Sequence, residues 1–238
     1  MYLTRFRINT HRSSARKLLS SPQVVHAAVM GSFPRALPDA ADGPRVLWRL
    51  DRADRAQVHL YVVSPDRPDL THLVEQAGWP HADGPGWDTH EYGGFLDRLA
   101  PGQRWAFRLT ANPTHSIRRK DGEPTKVTAH VTAHHQARWL LQRQERLGFE
   151  VERSGDVPEE GSQGPPEGYE LLVHGSGAAG FDKPDRRRGG RTRVSLVRAT
   201  FDGQLTVTDP DALRAALRGG IGRAKAYGCG LMTLAPVR

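Results

Sequence analysis

The sequence predicts an α+β protein of two domains, and three observations predict it. A length of 238 residues with 37% hydrophobic content is enough for two small cores. In the first half, strand-period and helix-period apolar patterns follow one another in the order β-α-β-β-α-β. A basic, Gly- and Pro-bearing linker, with Arg118, Arg119, Lys120, Gly122 and Pro124, then separates this half from a second helix-led unit.

The first strand is Tyr2, Phe6 and Ile8 alternating with Arg5 and Arg7, one apolar face and one basic face. Ser21 is the N-cap of a helix with Pro22 in its first turn and Val25, Ala28, Val29 and Phe33 on one side. Residues 45–50 and 57–63 read as two further strands joined by a polar turn. Asp69 caps a second helix with a stripe of Leu70, Leu73, Val74 and Ala77, ended by Gly78. A Gly-, Pro- and Asp-rich stretch to about Gly102 reads as irregular, and residues 104–110, with Trp105, Phe107 and Leu109 on one face, read as the fourth strand. This order is the ferredoxin-like split pattern, in which two helices cover one face of a four-stranded antiparallel sheet. The expected domains are therefore 1–114 and 130–238, with 115–129 as linker.

In the second domain a helix carries Ala137, Leu140, Leu141 and Leu147 and stops at Gly148, and residues 150–168 are acidic and loop-like. A short strand at 169–174 precedes residues 192–201 and 204–208, which read as a hairpin around Asp202-Gly203. Asp209 as N-cap, Pro210 at the first helical position, and Leu213, Ala216 and Leu217 at helical spacing define a helix; the run from Leu231 to Leu234 is a last strand.

Charge is distributed unevenly. From Lys183 to Lys225 there are eleven Lys or Arg against four Asp, a balance of +7 where the whole chain carries +8. A polyanion-binding face has this signature, and nucleic acid is the expected acidic partner. Two features concentrate it: Lys183 with Arg186, Arg187, Arg188 and Arg191 in KPDRRRGGR, and the stretch GGIGRAKAYGCGL from Gly219. In the latter, Gly220, Gly222 and Gly228 let the backbone approach a ligand while Arg223 and Lys225 supply charge. The loop is neither a P-loop, which needs G-x-x-x-x-G-K-[ST], nor a dinucleotide fingerprint, since the helix precedes it and the strand follows. A helix C-cap followed by a mobile turn is the plain structural reading.

Cys229 is the single cysteine, so neither an intrachain disulfide nor a thiolate zinc cluster is expected. His130, His134 and His135 lack the glutamate of H-E-x-x-H and a marked third ligand, and no metal or other cofactor is expected. Without a signal-like apolar stretch or a run long enough to span a bilayer, no membrane association is expected and a cytoplasmic protein is. His26 flanks the apolar side of the first helix, and a lone histidine there is more often structural.

The segments GGIGRAKAYGCGLMTLAP, ATFDGQLTVTDPDALRAAL, FRLTANPT at 107–114 and SPQVVHAAVMGSFP together resemble the CasE family, the repeat-processing endoribonucleases of type I-E CRISPR systems and subunits of Cascade. The resemblance covers nearly the whole chain, in order. It implies two tandem ferredoxin-like (RRM-like) domains, a CRISPR repeat RNA stem-loop and other Cascade subunits as partners, and metal-independent cleavage at the base of the stem by the RNA's own 2′-hydroxyl. It also implies a catalytic role for His26. Family members commonly carry tyrosine three residues before that histidine; here the position is Gln23, which orients a group but transfers no proton. Lys183, Arg187 and Arg188 are the candidates for the family's basic hairpin residue, which would assist His26. Gln23 keeps a second reading open, an assembly protein that holds an RNA hairpin without cutting it.

Overall fold

The alternation that opens the chain makes strand β1, Tyr2–Ile8, in which Thr4, Phe6 and Ile8 are buried and Arg5 and Arg7 are exposed. The structure is a computed structural model that describes residues 1–34, 44–52, 57–80, 84–117, 126–154, 168–185 and 190–237. After β1 come α1 (Ser13–Leu18), α2 (Pro22–Met30), β2 (Leu47–Arg52), β3 (Val58–Ser64) and α3 (Thr71–Ala77). Phe6, Ile8, Leu60 and Val62 from the sheet meet Leu18, Val25, Val29 and Leu73 from the helices in one buried cluster. Each such side chain contributes about 1.5–3 kcal/mol by leaving water.

The fourth strand of this sheet is β4, Trp87–Glu91, giving the antiparallel order β2-β3-β1-β4. This corrects the expectation that residues 104–110 close the first sheet. The strand lies inside the Gly/Pro-rich stretch, where composition hides it. Gly84 and Gly86, at φ 87° and 84°, lead the chain into it. Its pairing from Tyr2↔Glu91 to Phe6↔Trp87 is reinforced by an Arg5–Asp88 ion pair at 2.8 Å and a Thr4–Thr89 hydroxyl bond at 2.9 Å. Helix α4, Gly93–Asp97, follows.

The remaining elements are β5 (Arg104–Ala111), β6 (Thr114–Ile117), β7 (Lys126–Ala129), α5 (Ala133–Leu141), β8 (Phe149–Val151), β9 (Leu171–Asp185), β10 (Gly190–Val207), α6 (Pro210–Gly219) and β11 (Met232–Pro236). Strand β5 pairs with β10 and β11, and the second sheet runs β11-β5-β10-β8, with β9 added on β10. With β5 as first strand and β11 as last, this is the strand order of the first sheet, so the fold repeats a ferredoxin-like arrangement. Phe107, Leu109, Phe149, Phe201 and Leu205 fill its core, and Trp139 stacks on Phe201 at 6.1 Å. Strands β6 and β7 form a separate two-stranded sheet within the segment expected to be linker.

The hairpin expected at Asp202-Gly203 is absent, because β10 passes through both residues without turning. Asp202 faces Arg108 and His174, accepting bonds of 2.6 Å from Arg108 and 2.9 Å from His174. Burial would raise its pKa, but these hydrogen bonds outweigh burial and hold the carboxylate below its ordinary range. At Gly203 an added Cβ would stand 2.4 Å from the Glu170 carbonyl oxygen, so glycine serves close strand approach here, and not a turn. The hairpin is β9–β10 instead, paired up to Asp185↔Gly190.

The chain forms two compact units. One holds Met1–Leu99, Arg214–Ile221 and Lys225–Leu231; the other holds Ala100–Leu213, Gly222–Ala224 and Met232–Arg238. The return of the C-terminal segment to the first unit has identifiable causes. The Arg214 guanidinium donates to the carbonyls of Leu96 and Leu99 at 2.8 and 3.1 Å, and the Arg45 N–H donates to the Arg218 carbonyl at 3.2 Å. Arg49, 2% exposed, clasps Asp51 at 2.7 Å and donates to the Leu231 carbonyl at 3.1 Å. Among the described residues, no helix is long and apolar enough to cross a membrane.

Candidate functional site

Helix α2 begins where the sequence places it. The Ser21 hydroxyl accepts from the Gln23 N–H at 3.2 Å and Pro22 occupies the first turn, so the start of the helix is fixed. Val25 and Val29 go into the core, which leaves Gln23 and His26, three residues apart, half-buried on the neighbouring face. The His26 Nδ1 is shielded from solvent.

The glycine-rich segment comes to this helix. Its 3-10 turn, Lys225–Tyr227, packs against α2 and against β2. The glycines make that packing possible. A Cβ on Gly220, φ 77°, would lie 2.7 Å from Leu47 and 3.1 Å from the Lys225 Cε, and one on Gly228, φ 78°, would lie 2.6 Å from the Trp48 ring. Gly230 faces the Lys225 Cγ in the same way, at 3.3 Å. The motif thus seats the segment on Leu47 and Trp48 and holds the aliphatic stem of Lys225 between two glycines. Burial lowers the pKa of this lysine from its ordinary value, and the charge of Arg45 lowers it further.

The structure therefore brings Gln23, His26, Gly220, Lys225 and Gly228 into one unit. Gly222 and the exposed Arg223 belong to the other, where a Cβ on Gly222 would lie 3.0 Å from the Trp139 ring. Lys183 and Arg191 lie on β9 and β10 of that unit, Lys183 opposite Thr192 and Arg191 opposite Pro184. Arg186, Arg187 and Arg188 fall outside the described residues. Sequence reasoning missed Tyr227, which brings a half-buried phenol to the turn against α2. Its signal was its place inside the glycine motif, read there for glycine and charge alone.

Of the histidines discounted as ligands, His130 stacks on His135, while His134 meets His135 edge-on. His130 lies 4.4 Å from His115 and 5.9 Å from His135 between ring centroids. No group of three or more metal-binding side chains occurs among the described residues.

Comparison with known proteins shows what the chain as a whole is similar to. A family model described as CRISPR associated protein matches residues 1–236. The CRISPR-associated endoribonuclease Cse3 of Thermus thermophilus is 30% identical over 237 residues, 99% of this chain and all of that protein. A structure of Cse3 bound to a 19-nucleotide RNA superposes with a TM-score of 0.71 at 27% identity, over 99% of this chain and 100% of that one. Thermus thermophilus Cse3 bound to an RNA representing a pre-cleavage complex gives 0.68 at 28% identity, over 99% and 98% of the two chains.

Proposed function

Because the chain belongs to the CRISPR-associated protein family, we propose that it is a repeat-processing endoribonuclease. It cuts CRISPR precursor RNA at the base of the repeat stem-loop and stays on the mature guide RNA in the cytoplasm as a subunit of Cascade. The observation that carries this reading is the packing of the glycine-rich turn against the helix of Gln23 and His26. Two segments far apart in sequence, both among those that carry the family resemblance, meet on one surface.

The reaction needs a base, a source of positive charge and a proton for the leaving group. The 2′-hydroxyl oxygen bonds to the adjacent phosphorus while His26 takes its proton. The bond from phosphorus to the 5′ oxygen breaks, and that oxygen is protonated, leaving a 2′,3′-cyclic phosphate and a 5′-hydroxyl. A histidine has an ordinary pKa of about 6.5, so its neutral form is available as the base at neutral pH. Gln23 orients the hydroxyl or a phosphate oxygen. Lys225 supplies the cation: its lowered pKa brings an ammonium group closer to donating its proton, and the glycine seat fixes its stem. Lys183 is the other candidate for this role. With Arg186, Arg187, Arg188 and Arg191 it belongs to the hairpin that grips the RNA stem, while Arg223 and the glycine backbone add phosphate contacts.

Incubation with the cognate repeat RNA in EDTA tests the reading. A single cut ending in a 2′,3′-cyclic phosphate is expected, slowed roughly 10²–10⁴-fold in His26→Ala with RNA affinity within a few fold. Intact RNA held tightly by the wild-type protein would overturn it in favour of a hairpin-binding assembly protein. A His26→Ala variant cutting at the wild-type rate would remove His26 from the mechanism. Lys225→Ala and Lys183→Ala, compared in single-turnover rate, decide between the two lysines.

A further inference from the structure

The face of the first sheet turned away from α2 and α3 has a chemistry that the cleavage site does not use. On its two central strands Arg5 stands opposite Tyr61 and Arg7 opposite His59. These residues alternate with the core positions Phe6, Ile8, Leu60 and Val62, so the pleat turns them to the other side. A cavity of about 520 Å³ opens there, lined by Arg5, Arg7, Gln57, His59 and Asp88, the last ion-paired with Arg5 at 2.8 Å. Across Gly84 and Pro85, which line both, lies a second cavity of about 530 Å³ with Arg12 and Trp79 in its wall. The Arg7 guanidinium lies 4.8 Å over the Trp79 ring and so borders the step from one to the other.

We infer that this groove is a second RNA site, which takes roughly two unpaired nucleotides of the single strand flanking the stem-loop, with Arg7, and Arg5 in exchange for its Asp88 ion pair, on phosphate and the His59 ring against a base. The strand order β2-β3-β1-β4 is that of RNA-recognition sheets, whose central strands present aromatic side chains to bases on this face. Guanidinium groups beside flat rings suit an unpaired strand, in which backbone charge and exposed base faces alternate, better than a duplex, whose bases are already stacked. Burial, then the charges of Arg5 and Arg7, lower the His59 pKa against an opposing pull from Asp51, and the net shift favours the uncharged ring. The other end of the sheet is closed: Leu47 and Arg49 of β2 are covered by Gly220 and Leu231. A strand crossing this face is confined to the side of β1, β3 and β4.

The inference rests on the RNA-processing reading, and the experiment keeps the two apart. Binding is measured for the cognate stem-loop alone and for the same stem-loop carrying its single-stranded flank, using wild type, Arg7→Ala and the double variant Arg7→Ala/His59→Ala. The flank is expected to tighten wild-type binding roughly tenfold or more. The double variant loses that gain while affinity for the bare stem-loop, cleavage rate and melting temperature stay at wild-type values. A flank that brings no gain in wild type, or a gain that survives in the double variant, overturns this inference alone. Failure of the wild-type protein to bind or cut the stem-loop overturns the processing reading and this site with it. Should the double variant melt early, Gln57→Ala and Arg5→Ala, at exposed positions of the same cavity, carry the same comparison.

Discussion

Gly228→Ala separates the two tasks that a glycine in the C-terminal motif can have. A Cβ at this position meets the Trp48 ring at 2.6 Å, and Trp48 is 1% exposed in the core of the first unit, so the ring has little room to yield. The backbone also sits at φ 78°, which costs an alanine about 1–2 kcal/mol. Overpacking adds about 1–3 kcal/mol, for a total of about 2–5 kcal/mol. For a chain of this size that lowers Tm by about 5–15 °C. Two controls divide the terms. Gly102 has φ 80° and nothing within 4 Å of an added Cβ, so Gly102→Ala carries the backbone cost alone, about 2–6 °C. Gly219 has open space and no positive φ, so Gly219→Ala leaves Tm unchanged or slightly raised. Thermal unfolding of the three variants, with RNA affinity measured well below each transition, is the assay. If Gly228→Ala melts with Gly102→Ala, the Trp48 contact is not what requires glycine there. If Gly228→Ala instead loses RNA affinity with Tm intact, the glycine serves backbone approach to phosphate.

Two further outcomes are expected. Replacing Arg186, Arg187 and Arg188 together by Ala weakens RNA binding and reduces the slope of log affinity against log salt by about 0.7–0.9 per lost phosphate contact; an unchanged slope means these arginines do not meet phosphate. His130 has its pKa lowered, first by burial and then by His115, His135 and Arg143. The unfolded chain therefore takes up this proton first as pH falls, and the stability held above the ordinary histidine pKa of about 6.5 is lost as pH drops from there through the folded value. Wild type should lose more Tm between pH 7.5 and 5.5 than His130→Gln, and an equal or smaller loss in wild type refutes the linkage.

Local pattern determined much of this protein. Helix α2, with its Ser21 cap, Pro22 and the Val25/Val29 stripe, was legible because caps and periodicity act within a few residues; so were β1 and the helical pattern after Asp209. The family resemblance marked His26 and the glycine motif before any contact was known, since both are carried by contiguous residues. What local pattern could not settle is which strand pairs with which. Residues 104–110 have the alternation of a half-buried strand whichever sheet receives them, and only the register Leu109↔Phe201 and Met232↔Leu109 assigns them to the second. β4 was hidden because its exposed polar positions and flanking glycines read as loop until the edge of β1 offered Tyr2 through Phe6 as partners. Asp202-Gly203 carries the dipeptide of a tight turn, yet Arg108 and His174 donate hydrogen bonds to the carboxylate and Glu170 needs the space beside the glycine, so the strand runs on. The placement of Lys225 against α2 was beyond reach for the same reason. It depends on Leu47, Trp48 and Arg49 receiving a segment remote in sequence, and a contact of that kind exists only once the sheet has formed.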